Sequence, residues 1–243
     1  MPSKLQRLFV KPNLAPGAKI PLEAEQAHYL VNVLRLKQGD KVLLFNARDG
    51  EWCASLAATG KKKALLQVEL QTRPQETGPD LHYLFAPLKR ARVDYMAQKA
   101  TEMGASVLQP VITRRTVAER VNPDRLRANT VEAAEQCNIL RVPEVRAAEK
   151  LGKLLDRWDA SRVLVFADEA ANVGSPIEAL KARAPGPLAV LIGPEGGFEP
   201  EEREALLDRP YVLPISLGSR VMRADTAAVA CLALVNAVLG DWR

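Results

Sequence analysis

Cysteine and histidine are scarce in this 243-residue chain, which holds Cys53, Cys137 and Cys231 and only His28 and His82. The cysteines are odd in number, widely spaced and form no Cys-x-x-Cys pair, which argues against a disulfide framework and against a zinc site. Two histidines leave little material for Ser-His-Asp catalysis or a His-rich metal centre. Attention therefore turns to chemistry that needs no metal. No apolar run approaches the roughly 20 residues that span a bilayer. The longest, residues 227–239, is interrupted by Asn236 and reads as a buried helix. Lys4 and Arg7 near the start are followed by no apolar stretch, so no signal peptide is expected and the protein is expected to be cytoplasmic, with no membrane partner. Internal repeats and low-complexity tracts are also lacking.

What is present is ordinary globular composition, 47% hydrophobic and 26% charged. The length suits one large domain or two unequal ones, and two are expected. The net charge of +5 is unevenly placed. Residues 1–75 carry 12 Lys/Arg against 6 Asp/Glu and residues 89–146 carry 11 against 7, whereas residues 147–243 carry 11 against 14. This asymmetry suits a polyanion held by one region while chemistry occurs in another, although a merely solvated basic surface gives the same count.

The first 75 residues read as short strands near 8–10, 41–45, 51–57 and 64–70, with a helix over 23–34. Val68 and Leu70 alternate with Gln67, Glu69 and Gln71, the period of a half-buried strand. Turn signals between the strands predict a small β-barrel over residues 1–74. A Pro- and Gly-bearing linker at 73–79 follows. Beyond it, strands near 81–86, 107–112, 163–167, 188–192 and 211–217 alternate with amphipathic helices, which predicts an α/β domain over 79–243 with a largely parallel sheet. Gly104 reads as a helix-ending glycine, Asn122-Pro123 and Ser175-Pro176 as helix starts, and Asp225 or Thr226 as the cap of the last helix.

Two glycine-bearing turns stand out. The first runs from an apolar strand through Gly193-Pro-Glu-Gly-Gly197 into a helix that starts Glu199, Pro200, Glu201, Glu202. Glycines let a backbone approach a ligand closely. The carboxylates would repel a phosphate, and neither a P-loop nor G-x-G-x-x-G is present, so a non-phosphorylated cofactor fits better than ATP or NAD. A tight βα turn without a ligand remains the plain alternative. The second segment, residues 214–226, again leaves a strand through Gly218 and enters an almost wholly apolar helix, buried either in the core or against a second copy of the chain. Arg220 and Arg223 precede that helix and need anionic partners, with an ion pair to Asp225 or Glu195 as the bland alternative for Arg220.

Leu191-Ile-Gly-Pro-Glu-Gly-Gly-Phe198 and Ile215-Ser-Leu-Gly-Ser-Arg-Val-Met-Arg-Ala-Asp-Thr226 resemble the two cofactor-binding signatures of SPOUT-superfamily RNA methyltransferases, and more closely those of the bacterial 16S rRNA uracil-N3 methyltransferase family. Arg7-Leu-Phe9, His28 with Val33-Leu-Arg35, Gln98-Lys-Ala-Thr-Glu-Met-Gly104, Glu135-Gln-Cys137 and Val142-Pro-Glu144 match that pattern in order, so the resemblance covers essentially the whole chain. The chain departs from it where Asn138 and Ile139 follow Cys137, leaving Arg141 as the candidate for a displaced arginine, and where Asp225 stands in place of a frequent glutamate. The resemblance implies a PUA-like barrel joined to a trefoil-knotted α/β domain that dimerises and binds S-adenosylmethionine (SAM). It also implies methylation of N3 of a uridine in the decoding region of 16S rRNA, on the rRNA or the small ribosomal subunit. Another RNA, such as tRNA or 23S rRNA, is an alternative substrate, and a non-catalytic RNA-binding module is an alternative class.

SAM brings its own activated methyl group, so such a site must mainly position donor and acceptor, in keeping with the lack of metal ligands. The candidate cofactor residues are Leu191, Ile192, Gly193, Pro194, Gly196, Gly197, Ile215, Leu217, Gly218, Val221, Met222 and Thr226, whose aliphatic members also suit ordinary core packing. Arg223 is the candidate for stabilising charge on the uracil oxygens. Glu195 is the candidate for orienting a cofactor amine or accepting a proton, unless it caps its own turn. Candidates for RNA contacts are Arg7, His28, Arg35, Lys61, Lys62, Lys63, Lys89, Arg90, Arg92, Lys99, Arg114, Arg115 and Arg141. A solvated hairpin also accounts for Lys61 to Lys63, and a core histidine for His28.

Overall fold

The computed structural model describes residues 5–60, 63–117, 121–171 and 174–242. They fall into two units, one made of the residues up to Thr77 with Ala134–Val142, the other of Gly78–Ala133 with Pro143 onward. Sequence reading had no signal for the excursion at 134–142. Its cause is packing, since Ala134 and Leu140 bury themselves with Phe45, flanked by Phe9, Ile139 and Val142.

In the first unit the elements are β1 (Arg7–Phe9), β2 (Lys19–Pro21), α1 (Ala24–His28), β3 (Lys41–Phe45), β4 (Glu51–Gly60) and β5 (Lys63–Arg73). The helix expected over 23–34 is irregular: α1 passes at once into a π turn, Tyr29–Val33, closed by Leu34 N–H donating to the Tyr29 carbonyl at 2.9 Å. The sheet runs β1-β3-β4-β5-β2. Ala64, Leu66 and Val68 point inward, while Leu70, beyond a register shift at Cys53/Ala54, is exposed. The expected barrel is an open sheet among the described residues, because the three-residue edge strands β1 and β2 are not paired with each other.

The second unit contains β6 (Leu81–Phe85), α2 (Arg90–Glu102), β7 (Val107–Ile112), most of α3 (Pro123–Gln136), β8 (Glu144–Val145), β9 (Glu149–Lys150), α4 (Leu151–Asp156), β10 (Val163–Ala167), α5 (Pro176–Lys181), β11 (Leu188–Ile192), α6 (Pro200–Leu207), β12 (Val212–Ile215) and α7 (Ala224–Val238). Its strands are all parallel, in the order β12-β10-β11-β6-β7-β8, with β9 also beside β7. Each strand's alternate residues serve opposite faces. Tyr83, Phe85, Val165, Val190 and Ile192 pack with α2, α5 and α7 on one side. Leu84, Leu164, Phe166, Ala189 and Leu191 pack with α4 and Leu206 on the other.

Local chemistry explains the helix ends. Asn122 Oδ1 accepts from the N–H groups of Asp124 and Arg125, Ser175 Oγ accepts from Glu178 N–H, and Gly104 follows α2 at φ +77°. The start of α7 corrects the expected cap. Arg223, in extended backbone, is the N-cap, and its carbonyl accepts from Ala227 N–H at 2.8 Å. Asp225 lies one position inside the helix, where a carboxylate favours the positive end of the dipole. The buried face of α7, Ala224, Ala228, Cys231, Leu232 and Val235, belongs to the core.

His82 gives this unit a pH dependence. Burial first, then the guanidinium groups of Arg162 and Arg146, push its pKa down to about 4, against the opposing carboxylate of Asp80, 3.5 Å away. The folded state therefore prefers the neutral ring. Stability from this source is complete above the unfolded value near 6.5 and is lost as pH falls toward 4. With allowance for solvent screening, about 2 kcal/mol should disappear over that window. Urea melts at pH 7 and pH 4.5 should show it, and His82→Gln should shrink the difference. An identical difference in the variant refutes the assignment.

Candidate functional site

The connections around β10 and β11 open a crevice. From β10 the chain reaches β11 through α5, and from β11 it crosses back over β10 to β12 through α6. Leu180 of α5 and Leu206 of α6 belong to opposite faces of the sheet. Such a reversal leaves a gap beyond the carboxyl ends of the strands. A cavity of about 400 Å3 occupies it, within the usual range for small-molecule sites.

Three strand ends line this cavity: Phe166 to Ala170 at the end of β10, Ile192 to Phe198 at the end of β11, and Leu217 to Ala224 after β12, apart from Ser219. Of the expected cofactor residues, Ile192, Gly193, Pro194, Gly196, Gly197, Leu217, Gly218, Val221 and Met222 lie in its wall, as do Glu195 and Arg223. Leu191 and Ile215 do not, because their side chains are turned into the two cores. Thr226 is exposed outside it, its N–H donating to Asp225 Oδ1. The turn after β11 is rigid by construction. Gly197 N–H donates to the Pro194 carbonyl at 2.9 Å, and a side chain on Gly193 would collide with the Phe198 ring, which stands edge-on to Phe166.

Several arginines expected to contact RNA are paired with acids of this site. Arg115 forms two bonds to the Glu199 carboxylate, at 2.9 and 3.2 Å, and a third to the Gly196 carbonyl. Arg114 bonds Glu201, and its N–H donates to Glu202. Glu199 and Glu202 also cap the first turn of α6, so these helix-start donors are met by the chain's own carboxylates, which disfavours a phosphate there. The Arg115 guanidinium holds the Glu199 carboxyl below its usual range. Arg92 bonds Glu195 and lies 3.9 Å from Asp225. Arg92, rather than Arg220, is therefore the cation beside those two acids, and Glu195 is tied to α2 instead of capping its own turn.

The remaining candidates are scattered. Arg7 is 3% exposed and is engaged within the chain. Its Nε donates to Glu51, its other nitrogens to the carbonyls of Ala134, Glu135 and Ile139, and it lies over the Phe45 ring. His28 is exposed and bonded to Asn32, which excludes the core alternative. Arg35, at φ +58°, Lys63 and Lys89 are exposed. Lys99 bonds Glu102 above Tyr95, and Arg141 bonds the Thr77 carbonyl. Lys61, Lys62 and the side chain of Arg90 lie outside the described residues.

Sequence reading missed the β10 end. Asp168 is buried and gripped by Arg203 through bonds of 2.8–3.1 Å, and Glu169 lines the cavity beside it. The available signal was an apolar strand ending in two acids, Asp168 and Glu169. No group of three His, Cys, Asp or Glu suited to a metal occurs among the described residues, and no helix there is long and apolar enough to cross a membrane.

Comparison with known proteins agrees with this geometry. The RNA methyltransferase domain family matches residues 75–236, and the RNA methyltransferase PUA domain family matches residues 22–69. Ribosomal RNA small subunit methyltransferase E of Rickettsia conorii is 31% identical over 96% of both chains. A Legionella pneumophila protein solved with the bound cofactor SAM superposes with a TM-score of 0.85 at 26% identity, covering 96% of this chain and 98% of the other. The small subunit methyltransferase E of Neisseria gonorrhoeae shares the fold, with a TM-score of 0.84 at 23% identity over 99% of this chain and all of the other.

Proposed function

This chain belongs to the RNA methyltransferase family, and we propose that it transfers a methyl group from SAM to N3 of a uridine in small-subunit 16S ribosomal RNA, in the decoding region. The observation that carries the reading is the convergence of both glycine-bearing turns, Glu195 and Arg223 on one cavity. The residues present fit SAM: the wall offers Ile192, Leu217 and Met222 for a flat base, close backbone at the glycines, and carboxylates instead of a phosphate cradle. When bound, SAM supplies a methyl group activated on sulfur. The chain's own part is to orient the partners and exclude water.

Uracil N3 carries a proton, and its removal places negative charge on the ring oxygens. Arg223, exposed at the start of α7 and with no side-chain hydrogen bond or ion pair among the described residues, is assigned to those oxygens. Glu195, steadied by Arg92, is assigned to the proton. The first unit is assigned to RNA binding, with His28, Arg35 and Lys61 to Lys63 meeting phosphates. The PUA-family match supports a PUA-like, barrel-derived form for its open sheet, and the resemblance of the two glycine-bearing segments to SPOUT signatures supports a trefoil-knotted α/β domain. Val229, Ala230 and Ala233, half-buried on α7 away from its core face, support a homodimer. A cytoplasmic location follows from the proposed substrate.

Mass spectrometry of ribosomal RNA from cells with and without the gene tests the substrate. N3-methyluridine should vanish from small-subunit RNA when the gene is deleted, and its persistence rejects the assignment. Loss of methylation from tRNA or 23S rRNA instead would favour the other substrates. A folded wild-type protein that fails to bind radiolabelled SAM would leave only the RNA-binding module.

A further inference from the structure

The charged groups lining the cavity divide into two sets. Asp168 is neutralised by Arg203, Glu195 by Arg92, and Arg115 by Glu199. The side chains of Glu169, Arg220 and Arg223 have no hydrogen bond or ion pair among the described residues. Among the described residues, Glu169 is therefore the one carboxylate of this lining with no side-chain partner, which leaves both of its oxygens open to a ligand. Its position is set by its neighbours: Asp168 N–H donates to the Ile215 carbonyl at 3.0 Å, fixing the chain as it leaves β10. Glu169 Oε1 then stands 3.4 Å from the point where a Cβ on Gly197 would be. An acid at the tip of β10 thus faces the glycine turn at the tip of β11, and these two strands are hydrogen-bonded neighbours.

We infer that Glu169 accepts both hydroxyls of the cofactor's ribose and is a specificity-determining residue for the nucleoside part of the ligand. The inference rests on the SAM reading above. A carboxylate offers two coplanar oxygens to a vicinal diol, and two O–H donors to one anion make charge-assisted bonds. In open α/β sheets an acid on the strand beside the glycine turn is well placed for this, because the turn carries the group attached to the ribose. Arg220 and Arg223 are too basic for the role and suit anions instead.

The test is calorimetry of the full chain and its Glu169→Gln variant with three probes: SAM, S-adenosylhomocysteine and 5′-methylthioadenosine. All three carry the ribose, the first two carry the amino-acid tail, and only SAM carries the positive sulfur. Glu169→Gln should weaken all three by a similar factor, about tenfold, with an unchanged melting temperature because Glu169 has no internal partner. Weakening that spares methylthioadenosine puts the carboxylate at the amino-acid tail and overturns the inference, as does weakening confined to SAM or no weakening at all. Failure of the wild type to bind any probe refutes the SAM reading itself, a separate outcome.

Discussion

Gly197→Val is expected to abolish measurable SAM binding while the first unit stays folded. Gly197 has φ +69°, a left-handed backbone that a β-branched residue adopts only with strain of about 1–3 kcal/mol. The new Cβ would also press on Glu169 Oε1 from 3.4 Å, and two further methyl groups would enter the cavity. The turn can relieve this only by breaking the bond from Gly197 N–H to the Pro194 carbonyl, which holds Glu195 and Gly196 in the wall. The combined effect should raise the Kd by at least about thirtyfold. Calorimetry with SAM measures it, and circular dichroism confirms that the fold survives. Gly197→Ala should fall between the two, having the strain without the branching. Wild-type affinity in the valine variant would move the cofactor away from this turn.

The legible parts of this molecule were those with a long period or a sharp punctuation mark. The strands near 81–86, 107–112, 163–167 and 188–192 form nearly where expected because each is a largely apolar run buried on both faces. The glycine turns and Asn122, Ser175 and Gly104 were visible because one residue type there performs one backbone task. Elements of two or three residues, such as β2, β8 and β9, leave no period to detect. Charge was the least legible property. Arg92, Arg114 and Arg115 read as an RNA-facing surface, yet each pairs with an acid far away in sequence, at position 195, 201 or 199. A count of basic residues cannot distinguish a cation that waits for a phosphate from one that steadies a turn; only the partner decides.

Arg7 is the sharpest case of that difference, and Arg7→Ala is expected to destabilise the first unit by about 3–5 kcal/mol. The side chains of Arg7 and Glu51 are only 2% and 4% exposed and meet at 2.8 Å. Removing the guanidinium leaves a buried carboxylate with Thr72 Oγ1 as its remaining close donor, and Arg73 at 4.0 Å. It also removes one donor from each of the carbonyls of Ala134, Glu135 and Ile139, the first of which still accepts from Ile139 N–H, loosening the 134–142 segment from the strands it packs on. Urea denaturation followed by tryptophan fluorescence should report the loss, since Trp52 lies in β4 beside Glu51. Arg7→Met paired with Glu51→Gln should recover a large part of it, because the uncompensated charge is then gone. RNA affinity supplies the discriminating measurement. A phosphate-contacting arginine would change the salt dependence of binding by about one counterion when removed, whereas a buried one should leave that slope unchanged in protein that is still folded. A variant as stable as wild type but with a shallower salt slope would return Arg7 to the RNA-binding surface.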